Sequence, residues 1–224
     1  AVISWPEKRD QLWDPASFYQ LGRDEVARVL TWVNSLGLDL RRGHALDFGC
    51  GVGRLSEAMA AYFDRVTGVD IAPSMLAYAR ANSSSNGRVE YVLNECADLA
   101  RFPDNSFDFI LSSITLQHIP AHIIPNYLRD FVRILAPGGV MVFQLPSESA
   151  NTFRGWIWRL FPKVVIAAAL RRKNRLPVAM QMNSMPRDKV EALLTSAGAR
   201  IASTTRDTEA GRDWISFRYV VTKP

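Results

Sequence analysis

Leu46-Asp47-Phe48-Gly49-Cys50-Gly51-Val52-Gly53-Arg54-Leu55-Ser56 is a short apolar run, then three alternating glycines, then the start of a helical pattern. The run from Ala45 to Phe48 reads as a buried strand and Leu55 to Phe63 as the helix after it. Glycine has no Cβ, so a ligand can lie directly on the main chain at such a turn. The amino end of the next helix would then point at it. A dinucleotide loop requires G-x-G-x-x-G. Here Arg54 is the third residue after Gly51 and Ser56 the third after Gly53. The loop is instead D-x-G-x-G-x-G, with Asp47 at its head.

Strand and helix alternate outward from this stretch. Arg23 to Leu36 is predicted as an amphipathic helix, with Val26, Val29, Leu30 and Val33 on one stripe. Val66 to Asp70 is a second strand, and Pro73 opens a helix to about Ala81. Val89 to Leu93 and Phe107 to Ser112 are the third and fourth strands. Pro120 is read as opening a long helix that Pro137-Gly138-Gly139 stops before a fifth strand, Val140 to Gln144. Pro186 to Ala197 is a helix, and Ile201 to Thr205 and Trp214 to Thr222 are the last strands. Arg206 to Asp213 is too short for a right-handed crossover, so these two strands must be antiparallel. The fold class is α/β, a mostly parallel sheet with one reversed strand near the C-terminus and helices on both faces.

The 224 residues, 48% apolar, are enough for one large globular domain, 1–224. Within it, 1–40 is expected as an N-terminal helical cap and 147–185 as an insertion. Two cysteines, Cys50 and Cys96, are too few for a disulfide framework or a four-ligand zinc site, and no metal is expected. No run approaches the roughly 18 apolar residues of a membrane span. The first residues lack a signal-peptide pattern, so a cytoplasmic location is expected. The chain does not begin with Met and is read as trimmed or as part of a longer product. The net charge of +5 is local: Ser149 to Arg187 holds eight basic residues and no acid, leaving the remainder net acidic.

Open α/β sheets bind ligands beyond the carboxyl ends of their strands. Asp70 ends strand two, and a carboxylate there can accept from both hydroxyls of a ribose. Ile71 follows and can lie flat on a purine ring. Strand three runs into Asn94-Glu95-Cys96-Ala97-Asp98. Strand four gives Ser106-Phe107-Asp108-Phe109-Ile110-Leu111-Ser112 and then Leu116-Gln117-His118-Ile119. In order and spacing, these segments and Pro137-Gly138-Gly139 resemble the class I S-adenosylmethionine (SAM) dependent methyltransferases over about residues 44 to 145.

That resemblance implies a Rossmann-like fold and SAM as cofactor, with S-adenosylhomocysteine (SAH) as product. It implies a cofactor site from Asp47, Gly49, Cys50, Gly51, Gly53, Asp70, Ile71, Ala97, Asp98 and Ser112, with Asp98, or Glu95 as its rival, accepting from the adenine amine. Arg54 either meets the cofactor carboxylate or faces solvent, and Tyr19 and Arg23 are weaker contacts from a segment folding over the cofactor. Asp47 can alternatively cap the glycine turn, and Cys50 can be a small filler. The methyl of a sulfonium needs no metal, so catalysis is mainly positioning and exclusion of water. A hydroxyl acceptor can react with or without a base; His118 and His122, which follow strand four, are the candidates for one, and His118 is read equally as a packing residue.

Ser112-Ser113-Ile114-Thr115 lacks the Asn/Asp-Pro-Pro-aromatic turn of exocyclic-amine methylation, so transfer to oxygen of a small-molecule or lipid-like acceptor is expected. The insertion, with Trp156, Trp158 and Arg171-Arg172-Lys173, is read as a lid over an apolar, anionic acceptor. Its alternatives are a peripheral membrane contact through 149–175 and a packed helical hairpin. Its apolar content argues against nucleic acid. The competing function is a SAM-binding module without catalysis.

Overall fold

The computed structural model describes residues 14–150 and 182–224. Residues 1–13 and most of the inserted segment, including Arg171-Arg172-Lys173, lie outside the described residues.

The chain runs α1 (Pro15–Ser35), β1 (His44–Phe48), α2 (Arg54–Met59), β2 (Arg65–Asp70), α3 (Pro73–Ala81), β3 (Val89–Leu93) and β4 (Phe107–Ser112). A 3-10 turn (Leu116–His118), α4 (Ile124–Ile134), β5 (Leu135–Ser149), α5 (Arg187–Ser196), β6 (Arg200–Asp207) and β7 (Trp214–Thr222) complete it. The seven strands lie in the order β3-β2-β1-β4-β5-β7-β6. β7 alone is reversed, pairing antiparallel with β5 and β6. The order turns back between β1 and β4, which opens a crevice at their carboxyl ends.

Alternate residues of each strand feed two apolar layers. One buries Leu46, Phe48, Ile110, Met141, Phe143 and Tyr219 with Leu128 and Phe131 of α4 and Leu194 of α5. The other buries Ala45, Val66, Phe109, Leu111 and Val220 under Val26, Val29, Leu30 and Val33 of α1 and Leu55 and Met59 of α2. Each such side chain removed from water is worth about 1.5–3 kcal/mol.

Several boundaries differ from the sequence expectation: β5 runs on to Ser149, past Gln144 and into the start of the expected insertion, and four others have a local cause. α1 begins at Pro15, because Asp14 caps it by accepting from the Ser17 N–H at 3.0 Å, a turn and more before the apolar stripe starts. α2 stops at Met59, where successive turns swing Phe63 inward to stack on Phe109 at 5.2 Å. α4 opens at Ile124 rather than Pro120, since Pro120 to Ile123 form a separate turn and Pro125 occupies the first helical turn. β5 already begins at Leu135, so Pro137-Gly138-Gly139 is a kinked part of the strand, with its pairing to β4 shifted between Phe107 and Phe109.

Candidate functional site

The glycine loop is held chiefly by the protein's own groups. Gly49 and Cys50 both donate their N–H to the Val69 carbonyl, at 2.8 and 3.0 Å, and Gly53 donates to the Cys50 carbonyl at 2.9 Å. Gly49 and Gly53 have φ of 81° and 84°. A Cβ at Gly49 would run into the Thr115 side chain, and one at Gly53 into the Tyr91 ring and hydroxyl. At both positions backbone shape and close protein packing leave no room for a side chain. α2 has only six residues, which leaves its amino end less dipole than expected.

Asp70 is the best-oriented polar group at this edge. One carboxylate oxygen accepts from the Gly51 N–H and the other from the Ala72 N–H, both at 2.8 Å. Each oxygen retains a second lone pair, so the side chain is both fixed and able to accept further hydrogen bonds. Ile71 beside it is 67% exposed, an apolar surface adjoining an acceptor pair.

Asp47 is buried and accepts from the Ser56 hydroxyl at 2.6 Å, tying β1 to α2. Burial pushes its carboxyl up to about 7, against the opposing Ser56 hydrogen bond. Cys50 is a buried free thiol, raised by burial and by the Asp47 and Asp70 charges, and so is inert.

The loop after β3 is stapled from several sides. Asn94, buried, donates its amide to the Cys96 and Asp98 carbonyls at 3.3 and 2.9 Å. Tyr127 of α4 donates its hydroxyl to the Cys96 carbonyl at 2.6 Å, and Asp130 accepts from Leu99 N–H at 2.7 Å. Glu95, Ala97 and Asp98 are thereby displayed to solvent, with one Asp98 oxygen accepting from Ala100 N–H at 3.1 Å.

At the end of β4, Ser112 is 1% exposed, and its hydroxyl has no partner among the described residues. Its neighbour Ser113 donates its hydroxyl to Glu25 at 2.6 Å. Glu25, only 4% exposed on α1, also pairs with Arg54 at 3.0 Å and lies 3.8 Å from Arg218 of β7. Arg54 further covers the Phe18 ring at 5.7 Å. Arg54 is thus neither a free ligand for a carboxylate nor a solvent-facing helix residue. Tyr19 reaches the loop, its hydroxyl 3.4 Å from the Val52 carbonyl, whereas Arg23 is exposed and bonded to Gln20. The two histidines separate: His118 is half-buried, 3.3 Å from the Gln117 amide, and His122 is exposed before α4. Gln117 in turn meets the buried Gln144, which donates to the Ser216 hydroxyl at 2.6 Å.

Sequence reasoning missed Glu25, Asn94, Tyr127 and Gln144. Glu25 had a signal, an acid four residues before Val29 on the buried stripe. Asn94 had one too, a polar residue closing an apolar strand. Among the described residues no group of three or more His, Cys, Asp or Glu is placed to hold a metal, and no helix is long and apolar enough to cross a membrane.

A family described as "Methyltransferase domain" matches residues 46–143. A ubiquinone biosynthesis O-methyltransferase of Bordetella avium is 31% identical over 159 residues, 67% of this chain; the chain spans 65% of that relative's length. A SAM-dependent methyltransferase from Clostridium acetobutylicum superposes with a TM-score of 0.63 at 15% identity, covering 92% of each chain. The magnesium protoporphyrin IX methyltransferase of Synechocystis, solved with SAH, gives 0.62 at 17% identity, covering 96% of this chain and 89% of its own.

Proposed function

We propose that this chain, whose residues 46–143 match a methyltransferase domain, is a class I SAM-dependent methyltransferase that transfers the methyl group of SAM to a hydroxyl oxygen of a small or lipid-like acceptor. One observation carries the cofactor half. The Asp70 carboxylate is aimed by two backbone N–H groups, keeps spare lone pairs, and adjoins an exposed isoleucine. That pairing of acceptor and apolar face suits a ribose next to a purine. The orphaned Ser112 hydroxyl at the end of β4 fits the same group, as a buried polar atom awaiting a partner.

In this reading Asp70 accepts from the ribose hydroxyls, and Ile71 covers one face of the adenine. Asp98 or Glu95 takes the exocyclic amine, the Ala97 main chain adjoins the ring, and Ser112 meets the amino-acid tail. Asp47 and Cys50 shape the loop, and Tyr19 holds α1 across it. Bound SAM supplies a methyl carbon already made electrophilic by its sulfonium. The chain's own work is to align the acceptor oxygen, exclude water and accept a proton. His118 is assigned that proton, because it is half-buried beside the end of β4, while His122 is exposed.

The acceptor assignment draws on the relative's name and is a hydroxylated ring in the chemistry of quinone precursors. The basic, Trp-bearing insertion is retained as the acceptor lid, with contact to an anionic membrane as its rival. Neutralising Arg171, Arg172 and Lys173 should weaken binding to vesicles of anionic lipid only under the rival.

Calorimetry with SAM, SAH and NADH tests the cofactor: the sulfur compounds should bind and NADH should not. Radiolabelled methyl transfer to catechols tests the enzyme. Binding of SAM without transfer to any hydroxylated acceptor would instead favour a non-catalytic SAM-binding module.

A further inference from the structure

Ile114 sits just past β4 with φ of 58°. The other non-glycine residues at positive φ among those described are Asn86 and Asn105. Asparagine enters the left-handed region readily, because its short side chain bonds locally; a β-branched residue there is an outlier.

The neighbours impose this conformation. Before it, Ser113 is anchored by its hydroxyl to the buried carboxylate of Glu25 at 2.6 Å. After it, Thr115 donates its hydroxyl back to the Ser113 carbonyl at 3.1 Å, packs over Gly49, and accepts from His118 N–H at 2.9 Å. Leu116 is then wholly buried. With both flanks pinned, residue 114 must pass through the left-handed region. Glycine or asparagine would do so with less strain.

Ile114 is 36% exposed and belongs to none of the three apolar clusters. It lies at the crevice between β1 and β4, where the strand order turns back. Strain retained at such a place points to function.

We infer that Ile114 is a specificity-determining residue that packs on the apolar face of the acceptor and holds its ring beside the methyl donor. This rests on the acceptor reading above and narrows it to ring-hydroxylated molecules with an apolar substituent. The turn fixes the residue at the carboxyl edge of β4 with part of its apolar surface open, so the ring would meet a rigid apolar wall.

The test compares wild type, Ile114→Gly and Ile114→Asn, using catechol and 4-nonylcatechol as probes. Both variants should unfold at a urea midpoint equal to or above wild type, because the strain is relieved. Both should bind SAH within about twofold of wild type. Their kcat/KM for 4-nonylcatechol should fall about tenfold or more, mainly through KM, while that for catechol changes little. Ile114→Val should restore most of the preference. A midpoint well below wild type would overturn the inference, by showing that the fold needs this side chain. An unchanged preference for the alkylated probe would overturn it alone. A wild type that methylates neither catechol would overturn the acceptor reading and this inference with it.

Discussion

Glu25→Ala removes an acidic side chain that joins α1, the start of α2, the end of β4 and β7. In the native protein its carboxylate meets Arg54 at 3.0 Å and the Ser113 hydroxyl at 2.6 Å, with Arg218 at 3.8 Å. Stripping one partner from a buried ion pair costs about 3–5 kcal/mol, because the other charge stays buried. Two features place this case at the low end. The Arg54 side chain is 23% exposed and can partly rehydrate, and Arg218 keeps Asp207 at 3.1 Å and Glu209 at 3.2 Å. The expected loss is therefore about 3 kcal/mol, or about 6–12 °C in Tm for a domain of this size. Glu25→Gln keeps an acceptor for Ser113 and should lose about half as much. Urea unfolding of the three proteins reads this directly. Arg54→Ala completes the comparison: it should lower stability while leaving SAH affinity nearly unchanged. If Glu25→Ala lies within about 1 kcal/mol of wild type, or Arg54→Ala loses SAH tenfold, the assignment of Arg54 to α1 is refuted.

Asp47→Asn should flatten part of the pH dependence of stability. With its carboxyl raised to about 7 from 3.8, the folded chain binds this proton more tightly than the unfolded chain. Stability from Asp47 is full below about 4 and is lost as pH rises towards 7, by on the order of 1.4 kcal/mol for each pH step of one within that window. The variant should gain on wild type over that window in Tm measurements; parallel curves would contradict it. His44 has the opposite sign. Burial and Arg65 lower it to about 4 from 6.5, so its stability is present above 6.5 and is lost as pH falls through 4. His44→Gln should soften the acid limb of the same curve. Gly53→Ala should cost about 2 kcal/mol or more in urea unfolding, because φ is 84° and the new Cβ meets Tyr91.

The succession of strands and helices was readable because each strand is a short apolar run set off by turn residues from the helix that follows. The eight residues from Arg206 to Asp213 alone required the last two strands to be antiparallel; that β7 is the reversed one came from the structure. Asp70 was legible for a similar local reason, an acid ending a buried strand after a glycine turn. The roles of Gly49 and Gly53 were not, because the side chains that crowd them, Thr115 and Tyr91, come from distant parts of the chain. Nor was the partner of Arg54. Its carboxylate lies 29 residues away, on a helix whose inward face announces itself only through its valines and leucine. Ile114 looks ordinary in sequence, since only its backbone angle sets it apart.

Titrating SAH into wild type and Asp70→Asn by calorimetry tests the account most directly, with Tm recorded to verify that both are folded. Asparagine keeps the shape but offers the ribose fewer acceptors and no charge. Two hydrogen bonds to a charged group, each worth about 1.5–3 kcal/mol, predict a loss of about 100-fold or more in affinity. A folded Asp70→Asn protein that binds SAH as tightly as wild type would contradict it.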